Sequence, residues 1–394
     1  MTFIGNSVPC FRESLGGSTV CAVRLGSEFE EERRRMKVSR VSTWMVEVPQ
    51  KAPIAPYRSH VRTSSTTTKI IVRLDTDEGL HGWGEANINF LTGINREQLQ
   101  KQASEWMVGR DATNIVLFHE TCPLETRLKA GVELAMWDIA GKAAGLPVAK
   151  LLGGIIREEV ELAACMGIQT YERAGEIASF YVEEGYSTLK TKAGSDPDED
   201  FEMARGVYDA VGDRLKLRLD PNRAYSKEEA AALAKRLEPF DLQYFEQPIT
   251  AEPLSDARWL REQTTIPIAL NESVVFPDSV MRILKEEAAS HILPDTHIAG
   301  GILPCVKIGH LCEAAGVPCI MHCGHDLGPK TAAMIHVAAS GASYTLANDC
   351  TYFGLVDDIL TEMIPIHRGK MRVPDAPGLG IECDEEKLKH YSIQ

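Results

Sequence analysis

Between positions 190 and 349, polar residues that could bind a cation or move a proton recur at the ends of short apolar runs: Lys190 and Lys192, Asp220, Glu246, Asn271 with Glu272, Asp295 with His297, His322, and Asn348 with Asp349. Carboxylates brought close together repel unless a cation joins them. Asp220, Glu246 and the Asn271/Glu272 corner therefore read as an oxygen-only set for a hard divalent ion. Mg2+ fits best and Mn2+ is second, since zinc would draw on Cys or His. Any one of these carboxylates could equally cap the helix that follows it. Their recurrence at successive strand ends favours the metal.

Lys190 and Lys192 stand two positions apart, so on a strand both side chains point to the same side. Close to a metal and to each other, their pKa values are expected to fall, which makes one a candidate general base and leaves the other to balance a substrate carboxylate. His322 lies in Met-His-Cys-Gly-His (321–325), and Asp295 closes the preceding run. A carboxylate set against an imidazole fixes its tautomer and makes a tuned acid/base pair. His291, His310 and His336 read as structural histidines, while His297 and His325 could sit at the rim. No Gly-x-Ser-x-Gly or P-loop is present, and Gly153-Gly154 and Gly300-Gly301 read as turns.

The elements that must position these residues repeat. From Glu159 onward a short apolar run, a polar turn and a helical stretch alternate, the pattern of parallel strands joined by crossover helices. The expected strands are 162–167, 188–193, 215–220, 243–247, 266–271, 291–295, 318–322 and 343–348, with amphipathic helices such as 226–238 and 302–315 between them. Eight strands suggest a closed barrel, whose active site lies at the C-terminal strand ends; a doubly wound open sheet is the rival. Ahead of the barrel, β-rich segments at 38–48 and 68–75 flank a Pro- and Ser/Thr-rich loop at 53–67, and the chain up to Leu152 turns helical. An α+β domain over 37–158 is expected, after a tail at 1–36 for which Met36 is an alternative start.

A length of 394 residues suits a barrel of about 200 to 250 residues plus a smaller domain. The formal net charge of −14, without a basic aromatic stripe, speaks against nucleic acid as a partner. No apolar run approaches the roughly 20 residues of a membrane span. Ten scattered cysteines without a Cys-x-x-Cys pair fit a reducing cytoplasm.

Taken together, Lys-x-Lys at 190–192, Leu-Asp-Pro-Asn at 219–222, Phe-Glu-Gln-Pro at 245–248 and the Asp295/His322 pair resemble the mandelate racemase branch of the enolase superfamily. Gly-Trp-Gly-Glu-Ala at 82–86, the 133–142 segment and Leu-Leu-Gly-Gly at 151–154 are similar to that family's capping domain and its junction to the barrel. Asp-Thr-His at 295–297, Ile-His-Val-Ala-Ala-Ser at 335–340 and an Asn ending the fifth strand are similar to glucarate dehydratase and its relatives. The resemblance implies a modified TIM barrel, (β/α)7β, over 159–364, with the α+β cap completed by about 365–394 and the loops 53–67 and 86–93 covering the substrate. It implies Asp220, Glu246 and Asn271, or Glu272 in its place, as metal ligands. Lys192 and His322 become the bases, Lys190 the carboxylate's charge partner, and Asn348 or Asp349 the group that hydrogen-bonds the forming enolate.

The expected partner is a small carboxylate, foremost a sugar acid dehydrated to a 2-keto-3-deoxy acid. Racemisation or epimerisation of a 2-hydroxy acid or amino-acid derivative uses the same residues, and a non-catalytic barrel that only binds is the third possibility. Relatives of this kind assemble as dimers or octamers, so a homo-oligomer is expected.

Overall fold

The computed structural model describes residues 35–88 and 95–393. The proposed tail, apart from Arg35 and Met36, therefore lies outside the described residues, as does the 89–94 part of the second loop.

Strands Val38–Pro49, Thr66–Thr76 and His81–Asn87 form an antiparallel sheet in that order. Helix Thr126–Ala144 lies against the His81–Asn87 strand. A Cβ at Gly82 or Gly84 would overlap the carbonyl oxygens of Ala135 and Gly131, so only glycine permits this approach. The same close packing brings Glu85, fully buried, to the inner end of the strand. Helix Glu385–Tyr391 also packs on the first strand, with Ile393 N–H donating to Met45 O at 2.8 Å.

The barrel sheet is parallel. Its order runs His291–Ile292, Ile268–Leu270, Tyr244–Glu246, Lys216–Asp220, Thr188–Lys192, Glu159–Met166 and Asn348–Asp349. The expected strand at 318–322 contributes bridging hydrogen bonds rather than a regular ladder. Ile320 N donates to Ile292 O at 3.1 Å, Cys319 N to Ser343 O at 2.9 Å and Asp349 N to Met321 O at 3.1 Å. These bonds close the ring between the sixth and eighth strands, giving a modified TIM barrel beside an α+β capping unit. Lys370–Arg372 pairs antiparallel with the base of Glu159–Met166.

Helices form where the sequence marks their ends. Ser226 and Glu229 make a reciprocal capping box on Lys227–Leu237. Asp196 and Pro197 start Pro197–Val211, and Gly316 in the left-handed region ends Ile302–Ala315. Pro53–Thr67 carries a short hairpin, Tyr57–Arg58 with Thr63–Ser64.

The period of two along each strand decides what faces the barrel interior. Leu217 and Leu219 turn outward to the helices, so Arg218 and Asp220 turn inward; the same alternation pairs Tyr244 with Glu246, Ala269 with Asn271, and Ile320 with His322. The lower members Tyr244, Ala269, Leu293 and Ile320 form one buried apolar cluster, and the Arg218 guanidinium stacks 4.6 Å from the Tyr244 ring centroid. One layer above this plug stand the residues named for chemistry.

Candidate active site

The upper layer opens into a cavity of about 560 Å³ lined, among others, by Lys190, Lys192, Asn271, Glu272, Asp295, His322 and Asp349. Asp220 and Glu246 have no exposed surface and pair with the lining residues Lys192 and Lys190.

Lys190 is the hub. Its ammonium lies 3.2 Å from Asp220, 2.7 Å from Glu246 and 2.9 Å from Asp349. The expected fall in its pKa is not found: burial acts in that direction, but Asp349, Glu246 and Asp220 outweigh it and hold the group well above its ordinary value. Lys190 is thus a fixed cation rather than a base. Lys192, at the more open end, contacts Asp220 at 2.5 Å and Asn222 Oδ1 at 2.7 Å. Both oxygens of Asp349 are taken, one by Lys190 and the other by Arg218 at 2.9 Å, while Asn348 Oδ1 accepts from Met321 N–H at 2.8 Å.

Burial, with Asp220 beside it, raises Glu246 well above the usual carboxylate range. Asp220 is held low instead: burial would raise it, but Lys192 and Lys190 prevail. Glu246 Oε2 meets Lys190 only as an ion contact and has no hydrogen-bond partner, and Glu272 Oε2 is likewise buried and unpartnered. Orphaned anionic oxygens beside a second carboxylate are what a divalent cation relieves, so the donor set fits one.

Among the described residues, the ligand atoms of Asp220, Glu246 and His322 all lie within 4.8 Å of one another. Glu272 lies outside that group; one of its oxygens accepts from Asn222 Nδ2 at 3.1 Å and the other is unpartnered. Asn271 donates its amide to Leu293 O at 2.9 Å, which orients the side chain and leaves its oxygen as the possible ligand atom.

His322 Nδ1 sits 2.8 Å from Asp295 Oδ2, and its Nε2 lies 3.8 Å from Glu246. Asp295 also accepts from Lys330, at 3.0 Å to one oxygen and 3.1 Å to the other, and from the backbone N–H of His297 at 2.7 Å. Burial would raise the Asp295 pKa, but Lys330, the His322 hydrogen bond and His297 hold it well below its ordinary value. His297 is buried with Nε2 on the Glu85 carbonyl, and burial lowers it to about 3. It braces the dyad from behind.

Lys330, Asp326 and Lys69 were missed by the sequence reading. Lys330 lies 2.8 Å from Asp326, which lies 3.7 Å from Lys69 on the capping sheet. One signal was available: helix Gly328–Ser340 is built almost wholly of small and apolar residues with a single charge, Lys330. A helix without a polar face buries that charge, and a buried ammonium requires a carboxylate partner.

The "Enolase C-terminal domain-like" family model matches residues 172–387, and the "Mandelate racemase / muconate lactonizing enzyme, N-terminal domain" model matches residues 41–153. Among curated relatives, N-succinyl-L-Arg/Lys racemase of Bacillus cereus is 28% identical over 91% of this chain and 98% of its own length. Arabinonate dehydratase of Saccharolobus solfataricus is 31% identical over 67% of this chain and 72% of its own. A crystal structure of dipeptide epimerase from Enterococcus faecalis V583, complexed with Mg and the dipeptide L-Leu-L-Tyr, superposes with a TM-score of 0.81 at 27% identity, covering 88% of this chain and all (100%) of that one. The superfamily works by a Lys or His base together with Mg2+. The chain belongs to the mandelate racemase/muconate lactonizing enzyme family of the enolase superfamily, enzymes that take the proton next to a carboxylate.

Proposed function

We propose that this enzyme is a hydro-lyase that dehydrates an acid sugar to a 2-keto-3-deoxy acid. The His322–Asp295 pair carries the reading. It supplies, on the strand-seven side of the carboxylates, an imidazole whose Nδ1 is held by Asp295 and whose Nε2 is the atom placed to pass a proton to a leaving hydroxyl. Asp220, Glu246 and either Asn271 or Glu272 would hold Mg2+. When bound, the ion supplies Lewis-acid stabilisation of the charge that gathers on the substrate carboxylate.

In this reading Lys192 takes the α-proton, and the electron pair of the broken C–H bond moves onto the carboxylate. The Lys190 ammonium, fixed by three carboxylates, stabilises that charge without moving. Imidazolium His322 then gives its proton to the β-hydroxyl as the C–O bond breaks, and water leaves. The enol that remains ketonises. Asp349 and Lys330 act through Lys190 and Asp295 as positioning residues. Polar groups on the cavity wall, among them Ser59, Arg62, Thr67, Asn222 and His325, suit a substrate rich in hydroxyls, and arabinonate dehydratase stands among the relatives.

A second reading has its own support. Lys192 and His322 rise from non-adjacent strands, and a proton removed by one can be returned by the other, which is racemisation or epimerisation; the Bacillus cereus relative is a racemase. Screening acid sugars for 2-keto acid release, alongside α-proton exchange in D2O, separates the two. Exchange without keto acid on every substrate would replace dehydration by epimerisation. Silence in both assays would argue for a barrel that only binds.

A further inference from the structure

Three positions beyond His322, the same loop turns a second imidazole toward the cavity. His325 lines it but lies outside the Lys192, His322 and carboxylate set. Its backbone stands at φ +59°, a left-handed conformation that a side chain with a Cβ adopts only when its surroundings hold it there. Those surroundings come from the capping unit. Thr67 Oγ1 donates to His325 O at 2.6 Å, and Lys69 Nζ donates to Gly324 O at 2.7 Å. Gln50 Nε2 lies 2.9 Å from His325 Nδ1, and the Tyr57 ring meets the imidazole edge to face at a centroid distance of 4.3 Å. A glycine or asparagine would take this backbone conformation at less cost, so loop geometry alone does not account for the imidazole.

Gln50 pairs with Nδ1, and with its amide N–H as the donor the ring proton sits on Nε2. We propose that His325 is a specificity-determining residue whose Nε2–H donates to a substrate hydroxyl remote from the reacting carboxylate, with Gln50 of the cap setting its tautomer. The identity of the recognised group rests on the acid-sugar reading. Burial, with Lys69 and Lys192 nearby, lowers the His325 pKa to about 3, so the ring meets the substrate uncharged, as suits a neutral hydroxyl rather than a second anionic group.

The test uses full-length enzyme with Mg2+ and a panel of five- and six-carbon aldonates with their monodeoxy analogues. Each is assayed for 2-keto acid release and for α-proton exchange in D2O. His325→Phe should lower kcat/KM by about tenfold to a hundredfold, mainly through KM, on substrates carrying the recognised hydroxyl, as expected for an unpaired polar group in a closed site. One deoxy analogue should be turned over equally by both proteins. His325→Gln should recover part of the loss, and Gln50→Leu should reproduce it on the same substrates to a smaller degree.

Unchanged kinetics, or an equal loss on every analogue, overturns the proposal. Should His325→Phe not fold, as judged by circular dichroism, the Gln and Leu variants decide: wild-type behaviour in both overturns it. Exchange without dehydration would end the hydro-lyase reading yet still report the His325 effect through the KM for exchange. Calorimetric binding of D-gluconate gives the same comparison where turnover is lost, and a wild-type protein that neither binds nor converts any member of the panel overturns both readings.

Discussion

The two halves of the barrel rim compensate their buried charge differently. Behind His322 two carboxylates have a resident cation: Asp295 lies 3.0 Å from Lys330, and Asp326 lies 2.8 Å from the same ammonium with Lys69 at 3.7 Å. Burial would raise both carboxyls, yet Lys330 leads the effects that hold them below the ordinary range. Around Lys190 the ammonium meets three carboxylates; Asp220 also has Lys192 and Asp349 also has Arg218, so Glu246 is the one left high, with an oxygen that has no hydrogen-bond partner. The dyad pair is thus compensated by the chain itself, whereas the carboxylate half has a donor set that a divalent cation would complete. An isolated buried charge is costly, so each half should fail in its own way when a partner is removed.

The largest effect is expected on the unfinished half. Glu246→Gln should abolish Mg2+ binding by calorimetry and lower kcat by about a thousandfold or more, since the ion supplies several kcal/mol of charge stabilisation. Full Mg2+ affinity in this variant would mean that Glu246 is no ligand and that the two halves do not differ as argued. On the other half, His322→Asn should leave Mg2+ binding within a few-fold of wild type and suppress 2-keto acid release by about a hundredfold to ten-thousandfold, the usual range for a lost acid or base. Exchange of the α-proton through Lys192 should persist. Undiminished dehydration would remove His322 from the chemistry.

Lys330→Met sharpens the contrast. It strips the resident cation from Asp295 and Asp326, both buried, and should cost about 3 to 5 kcal/mol in a urea unfolding experiment, as breaking one partner from a buried ion pair does. A loss below about 1 kcal/mol would show that Lys69 and His297 compensate the dyad half without it.

How far the sequence reveals each half follows the same division. Lys190, Lys192, Asp220, Glu246 and His322 end barrel strands, where a period of two and a rule about barrel mouths are enough to aim them at one cavity. The order of the barrel strands was legible for the same reason, although the 318–322 segment bonds its neighbours irregularly and forms no regular ladder. Lys69 and Glu85 lie on the capping sheet, more than 200 positions from the loop they support. No local pattern announces a contact between units so distant in sequence. Arg218 reads locally as a surface residue, yet it is fully buried under the site because strand alternation turns it inward onto Asp349 and Tyr244. The choice between Asn271 and Glu272 turns on side-chain direction just past a strand end, where the alternation stops.

The smallest expected effect concerns a histidine outside both halves and shows what burial does when no charge partner is present. His336 is fully buried, with Nδ1 accepting from Ala149 N–H at 3.3 Å and Nε2 donating to Leu379 O at 3.1 Å, which requires the neutral ring. Burial lowers its pKa to about 4. The unfolded chain takes up a proton at this histidine below about pH 6.5, while the folded protein resists until about pH 4. The contribution of the neutral ring is therefore complete above pH 6.5, declines as the pH falls, and levels off near pH 4, a total on the order of 3 kcal/mol. His336→Gln should be less stable than wild type at pH 7, and by pH 4.5 the gap should narrow by about 2 to 3 kcal/mol, because only the wild type carries this acid penalty. A gap that stays constant between those two pH values would show that His336 titrates alike in both states and that its burial is not what disfavours the charged ring.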